Sequence, residues 1–293
     1  LFISSHCVLL SQSRMLFLPK YKAEEVLSLL PRATVMAGVP TFYTRLLELP
    51  GLDRESTANM RLFVSGSAPL LAETHREWQV RTGHAILERY GMTETGMNTS
   101  NPYDGERRAG TVGFPLPGTE VRVMSDEGAP MGPGETGGLQ VRGPNVFGGY
   151  WRMPEKSAEE FAEGGWFKTG DIAMIDADGY VHLVGRAKDL IISGGFNVYP
   201  KEIEELVDDM PEVLESAIVG VPHADFGEAG VAVVVLRPGK ALDEAELISR
   251  VKAKLANYKV PKRAFFVESL PRNTMGKVQK NLLRDEYRDA CKS

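Results

Sequence analysis

MRLFVSGSAPLLAETHREWQVRTGHAILERYGMTE, residues 60–94, decides the fold class. It opens on a short apolar run that breaks at Ser65-Gly66-Ser67-Ala68-Pro69. From Ala68 to Gly83 the apolar residues recur at helical spacing, and the run stops at a glycine. A second strand within residues 84–94 ends in another glycine turn. Strand–helix–strand order of this kind predicts a parallel sheet with crossover helices. Upstream, TVMAGVP (34–40) reads as a short strand and TFYTRLLELP (41–50) as a helix capped by Thr41. The alternation therefore runs through residues 1–100.

Downstream the pattern changes twice. Residues 110–185 hold short β runs between turn signals; the last, Ile172–Ile175 and Tyr180–Val184 around Asp178-Gly179, predicts a hairpin. After residue 190, NVYPKEIEELVDDM (197–210) predicts a helix with Pro200 in its first turn. SAIVGVP and GVAVVVLRPG read as buried strands, and DEAELISRVKAKLANYKVP (243–261) as an amphipathic helix ending before Pro261. RAFFVESLP adds a strand and KNLLRDEYRDA a terminal helix. The expected fold is α/β: a mixed or parallel sheet with helices and a small β-barrel-like subdomain, then a small α+β domain. The expected division is 1–187 and 188–293, with a hinge near Lys188 in GRAKD.

Composition narrows the function. A chain of 293 residues, 43% hydrophobic and 25% charged, has the make-up of a globular protein with a sizeable core. Its net charge of −5 argues against a general nucleic-acid binder, because such affinity comes mainly from cations on phosphate. Cys7 and Cys291 are the only cysteines and lie near opposite ends. They make neither a disulfide framework nor a zinc site, so a reducing, cytoplasmic setting is expected. The opening LFISSHCVLLSQSRMLFLP is interrupted by His6, Gln12 and Arg14. It lacks the ~20-residue apolar run of a membrane span and the basic start of a signal peptide. It reads as the interior of a globular protein entered midway, with no membrane partner.

Four strings carry chemistry. RYGMTETG (89–96) puts an aromatic ring, a hydroxyl and a carboxylate around a glycine turn. That set suits a nucleotide: Tyr90 for stacking, Thr93 for a phosphate oxygen, Glu94 for Mg²⁺, which prefers hard oxygen ligands; a plain tight turn with a helix cap reads equally well. In FKTGDIAMID (167–176), Asp171 follows Gly170 at a strand mouth and could accept two ribose hydroxyls, or simply cap its own turn. GRAKDLIISGGFNVYPKEIE (185–204) joins Arg186, Lys188 and Asp189 to the pair Gly194-Gly195, which permits positive φ or close approach of a ligand to the backbone. LPRNTMGKVQKN (270–281) holds Lys277 after Gly276. It is not a phosphate loop, since Pro271 stands where the first glycine would be and Val278 where the Ser/Thr would be.

Taken in this order, the four strings resemble the acyl-adenylate-forming superfamily of acyl-CoA synthetases, adenylation domains and luciferases, and the resemblance covers essentially the whole chain. VPTFYTRLL, SGSAPLLAETHREW, RYGMTETGMNTSNPYDGERR, GPNVFGGYWRMPEK and LPRNTMGKVQKN look most like the malonyl-CoA synthetase branch. The resemblance implies an AMP-forming acid–thiol ligase: malonate, ATP and CoA give malonyl-CoA, AMP and pyrophosphate through an acyl-adenylate, with Mg²⁺ on the nucleotide. By matching positions it implies that Tyr90 stacks on adenine, that Ser67, Ala68 and Pro69 with Gly91 and Met92 line the nucleotide pocket, that Thr93 contacts the α-phosphate and that Glu94 holds Mg²⁺. Asp171 would take the ribose hydroxyls beside Arg186, and Lys277 would meet the negative charge of the transition state. Arg45 would hold the second carboxylate of malonate, with Ser65, Ser67 and Met97 lining the rest of that pocket. Rotation at Lys188 would withdraw Lys277 and bring Gly194-Gly195 to the pantetheine of CoA.

The resemblance also implies a Ser/Thr/Gly-rich phosphate loop ending in Lys, upstream of all these motifs. The sequence holds no such string, so the chain is expected to be the C-terminal portion of such an enzyme and inactive by itself. Two other readings stay open: an adenylating domain for another small carboxylate or for loading a carrier protein, and a non-catalytic binding module from a split gene. The expected partners are small molecules, in a monomer or a homodimer.

Overall fold

The computed structural model describes residues 2–273 and 276–291. Residue 1 and residues 292–293, the outer ends of the two expected domains, lie outside the described residues.

The first helices are α1 (Phe2–Leu10) and α2 (Ala23–Leu29). The first sheet then follows in the order β1 (Val35–Gly38), β2 (Leu62–Ser65), β3 (Leu87–Met92), β4 (Gly96–Ser100) and β5 (Phe114–Pro115). β1, β2 and β3 are parallel, joined through α3 (Pro40–Leu47) and α4 (Ala72–Thr82). The parallel expectation ends there: β3 turns back antiparallel onto β4, and β4 onto β5. A tight turn can link only antiparallel strands, and RYGMTETG is such a turn. The N-cap of α3 lies two residues earlier than the sequence suggested. Val39, not Thr41, is its N-cap, and Pro40 takes the first helical position, where its fixed φ and missing N–H cost nothing. α4 stops where expected, on Gly83 in the left-handed conformation at φ 81°. Tyr43, Leu46, Phe63 and Trp78 fill the core beneath these helices, with Trp78 meeting Tyr43 and Phe63 edge-on at 4.9 Å.

The second sheet runs β10–β9–β7–β6, with a short β8 on β9. Its elements are β6 (Glu120–Met124), β7 (Thr136–Arg142), α5 (Pro154–Glu160), β8 (Phe161–Ala162), β9 (Trp166–Ile175) and β10 (Val181–Arg186). The predicted hairpin is present. Asp176 Oδ1 accepts from the amides of Asp178 and Tyr180, and Gly179 sits at φ 89°.

The third sheet orders β12 (Phe196–Val198), β11 (Ile191–Ser193), β14 (Gly227–Leu236) and β13 (Val213–His223), with β15 (Arg263–Phe266) parallel to β14. It is backed by α6 (Pro200–Asp208), α7 (Glu244–Lys252) and α8 (Lys280–Glu286). β13 and β14 are apolar on both faces because two cores sandwich them. Ile218, Ala232 and Val234 enter one core, and Val219, Val231 and Val233 the other. α7 begins on an Asp243 cap, which accepts from Glu246 N at 2.8 Å, but it ends at Lys252, well before Pro261. The Lys254 and Leu255 amides both close on the Val251 carbonyl, and Asn257–Lys259 forms a separate 3₁₀ turn.

The chain divides into two compact units. One is Leu1–Thr169 with Ala173–Leu183, the other Gly170–Ile172 with Val184–Ser293. Among the described residues no helix is long and apolar enough to cross a membrane.

Candidate functional site

In the first unit the β3–β4 hairpin presents the first motif. Gly91 lies so close to Gly96 that a Cβ there would collide with the Gly96 carbonyl, and Gly96 itself sits at φ 60°. The two glycines let the strands cross at a bulge between Tyr90 and Gly91, which leaves Thr93 exposed at the tip. Glu94 is half-buried and accepts a bond from the Tyr150 hydroxyl at 3.1 Å on Oε1; its carbonyl accepts from Phe147 N at 2.8 Å. Burial and the neighbouring Glu94 carboxylate both push the Tyr150 hydroxyl above its ordinary pKa, which keeps it a donor. Asn145 Nδ2 bonds the carbonyls of Thr95 and Met97, so the 143–150 loop pins the turn from outside. Neither Asn145 nor Tyr150 was legible in advance. They lie about fifty residues from their partners, and no spacing rule links them.

Glu94 fits the Mg²⁺ role. One oxygen is oriented by Tyr150, and the other has no partner among the described residues. No group of three or more His, Cys, Asp or Glu that could hold a metal ion occurs among the described residues. A single carboxylate still suits Mg²⁺, which keeps water and substrate phosphates as its other ligands. Tyr90 is placed less openly than expected. Its ring packs among Val112, Val123, Leu139 and Val181 and is only 7% exposed, so the face expected to stack on adenine is largely covered. Met92 Sδ lies 3.9 Å from the Tyr90 hydroxyl. After β2, Ser67, Ala68 and Pro69 are exposed, and Ser67 holds φ 72°. Such a left-handed non-glycine residue is costly and tends to occur at ligand sites.

The residues expected to line the acyl pocket differ in their surroundings. Ser65 is buried at the end of β2, and its Oγ has no hydrogen-bond partner among the described residues. Arg45 lies on the exposed side of α3, in a depression of about 300 Å³ with Tyr21, Glu24 and Glu48. Burial pushes the Tyr21 hydroxyl up to about 12, with Arg45 opposing the rise and the two glutamates adding to it. Met97 leads instead to Arg89, whose Nη1 lies 2.6 Å from its Sδ. Arg89 is half-buried, packs against Gly66 and has no carboxylate partner among the described residues. Burial pulls its guanidinium below the usual arginine range. The available signal was a charged residue beside Tyr90 in a strand, on the opposite face by alternation.

In the second unit Asp171 is 6% exposed and its Oδ1 meets Arg186 Nε at 2.7 Å, so these two predicted residues do come together. Lys188 is exposed on a 3₁₀ turn, Ala187–Asp189, and Asp189 is tied to Arg284 at 3.1 Å. Gly194 and Gly195, at φ 58° and 83°, form the two-residue turn of the β11–β12 hairpin, which demands positive φ at both positions. Gly194 also borders a cavity of about 460 Å³ walled by Phe196, Phe226 and Tyr258. Lys277 is exposed, and among the described residues its ammonium makes no ion pair.

An AMP-binding enzyme family model matches residues 2–151, and the model of the AMP-binding enzyme C-terminal domain matches residues 202–277. The chain is 42% identical to a malonate–CoA ligase from Arabidopsis thaliana, over 86% of this chain and 44% of that protein. It is 41% identical to a long-chain-fatty-acid–CoA ligase from Yersinia pestis, over 86% of this chain and 45% of that protein. The structure resembles ATP-bound MatB from Rhodopseudomonas palustris with a TM-score of 0.96 and 58% identity, covering 99% of this chain and 58% of that one. The chain spans about half the length of the curated relatives it matches.

Proposed function

The chain belongs to the AMP-binding enzyme family, and on that premise we propose that it serves an ATP-dependent acid–CoA ligase whose acid is malonate. A malonate carboxylate oxygen attacks the α-phosphorus of ATP, the bond to pyrophosphate breaks, and malonyl-adenylate forms. The CoA sulfur then attacks the acyl carbon, its proton leaves, and AMP departs with the bonding pair. Thr93 contacts the α-phosphate, and Glu94, oriented by Tyr150, holds Mg²⁺. When bound, that ion neutralises the phosphates. Asp171, held by Arg186, accepts the ribose hydroxyls. Tyr90, Gly91, Met92 and Ser67-Ala68-Pro69 line the adenine, Lys277 is the catalytic cation, and Gly194-Gly195 serves CoA. The free thiols of Cys7 and Cys291 suit a cytoplasmic setting.

The observation that carries the choice of a dicarboxylate is Arg89. A half-buried guanidinium without a carboxylate partner is costly to hold empty, and a second substrate carboxylate would neutralise it with charge-assisted hydrogen bonds. The buried hydroxyl of Ser65, without a hydrogen-bond partner among the described residues, supports the same reading. Arg45 is proposed as the weaker contributor, because Glu24 and Glu48 share its depression. The test is AMP release by the protein carrying this chain, with malonate, methylmalonate and acetate compared. Malonate should be used best; acetate turned over as well as malonate would overturn the dicarboxylate reading.

A further inference from the structure

Lys277 stands on a narrow hairpin that is fastened on both sides. Arg272 bridges Val278, Gln279 N donates to the Pro271 carbonyl at 2.8 Å, and Asn273 N donates to the Lys277 carbonyl at 2.9 Å. The Lys277 amide in turn donates to Asn273 Oδ1 at 3.0 Å. These local bonds shape the turn; where it stands is set by the packing of Leu270 and Val278 against the core of β13 and β14 and by two ion pairs. Arg272 donates Nη1 to the Gly276 carbonyl at 2.6 Å and pairs through Nη2 with Glu215 on β13. Just beyond the hairpin, at the start of α8, Lys280 Nζ meets Glu204 Oε1 of α6 at 2.6 Å. The same Glu204 oxygen accepts from the Ile218 amide of β13 at 2.7 Å, so this anchor is itself held by the sheet.

We propose that Arg272–Glu215 and Lys280–Glu204 form a two-point clasp that positions Lys277 for adenylate formation. A lysine ammonium on a flexible stem has no fixed place of its own, so its root must be held. Misplacement by about 1 Å can cost roughly 10²-fold in rate. The charge balance agrees. A third acid, Asp208, lies near both glutamates, but burial first, and then their charges, push its carboxyl up to about 8. It is therefore mostly protonated at neutral pH, leaving two carboxylates for two cations. Arg272 and Glu215 are accordingly positioning residues. The proposal rests on the reading of Lys277 as the catalytic cation.

The test has an activity arm and an arm independent of activity. Glu215→Gln should speed amide hydrogen exchange at Gly276 and Lys277 by about tenfold while Ala217 and Val219 in β13 keep their protection. It should lower kcat for adenylate formation by roughly tenfold with KM for ATP nearly unchanged. Arg272→Lys should retain part of that rate, and Lys280→Met should reproduce the exchange change from the other anchor. In a Lys277→Ala background, Glu215→Gln should cause no further loss. Unchanged exchange at Lys277, or a full additional loss in that background, would overturn the clasp. A Lys277→Ala variant with full adenylation rate would instead remove the role assigned to Lys277, while the exchange measurement still judged the anchor.

Discussion

The Tyr150 hydroxyl reaches Glu94 Oε1 across 3.1 Å, joining residues 56 apart in the chain. It orients one carboxylate oxygen and leaves the other for a ligand. Tyr150→Phe removes a hydrogen bond to a charged acceptor, worth about 1.5–3 kcal/mol at most and less at a half-buried site. The expected result is Mg·ATP affinity weakened by roughly three- to tenfold, with unfolding free energy changed by under ~1 kcal/mol. Titration calorimetry beside a denaturant melt checks this. A stability loss with unchanged affinity would make the bond purely structural.

The two candidate arginines differ in what surrounds them. Arg89→Met keeps much of the stem and removes the charge, so KM for malonate should rise by roughly 10–10²-fold while ATP use changes little. Arg45→Ala should change malonate use by no more than about threefold, since Glu24 and Glu48 already offset that charge. Steady-state kinetics on both variants decides between them. The reverse ranking would return the pocket to Arg45.

Asp208 sets a pH trend in stability. Its carboxyl is raised from 3.8 to about 8 in the folded protein, mainly by burial and then by Glu204 and Glu215, with Ser216 opposing. Between these values the folded state binds the proton and the unfolded state does not, so this group's contribution falls as pH rises. The slope is at most about 1.4 kcal/mol per pH unit, and the contribution is fully present only below pH 4. Asp208→Asn should flatten the decline between pH 5 and 8, measured by urea midpoints at each pH. Parallel curves for the two proteins would contradict the assignment.

Gly91 is needed for space and Gly96 for conformation. Gly91→Ala drives a methyl into the Gly96 carbonyl and should cost about 2–3 kcal/mol, with loss of adenylation. Gly96→Ala meets no atom but must hold φ 60°, at a cost of about 1 kcal/mol. Thermal unfolding of both variants should rank them in that order.

Part of the local structure around the candidate residues was legible because its signals are local. Gly194-Gly195 permitted positive φ and forms a turn, Asp171 and Arg186 lie on neighbouring strands of one hairpin, and Pro200 opens the expected helix. Arg89 was passed over because a charge within a strand, here next to Glu88, says nothing about its partners in space. The end of α7 was misjudged because periodicity continues through residues that the chain uses for a 3₁₀ turn.

By itself the sequence determined much of the order of elements, though not α2 or α5, the places where glycine and proline force turns, and the membership of the family, since these follow from short-range sterics and motif order. Tertiary structure alone decided that Glu94 meets Tyr150, that Arg89 is half-buried with no carboxylate partner among the described residues, and that Arg272 and Lys280 grip Glu215 and Glu204 around Lys277. Those pairings join residues far apart in the chain. Hydrogen bonds and ion pairs depend on distance in space, and only the packing of sheets and helices sets that distance.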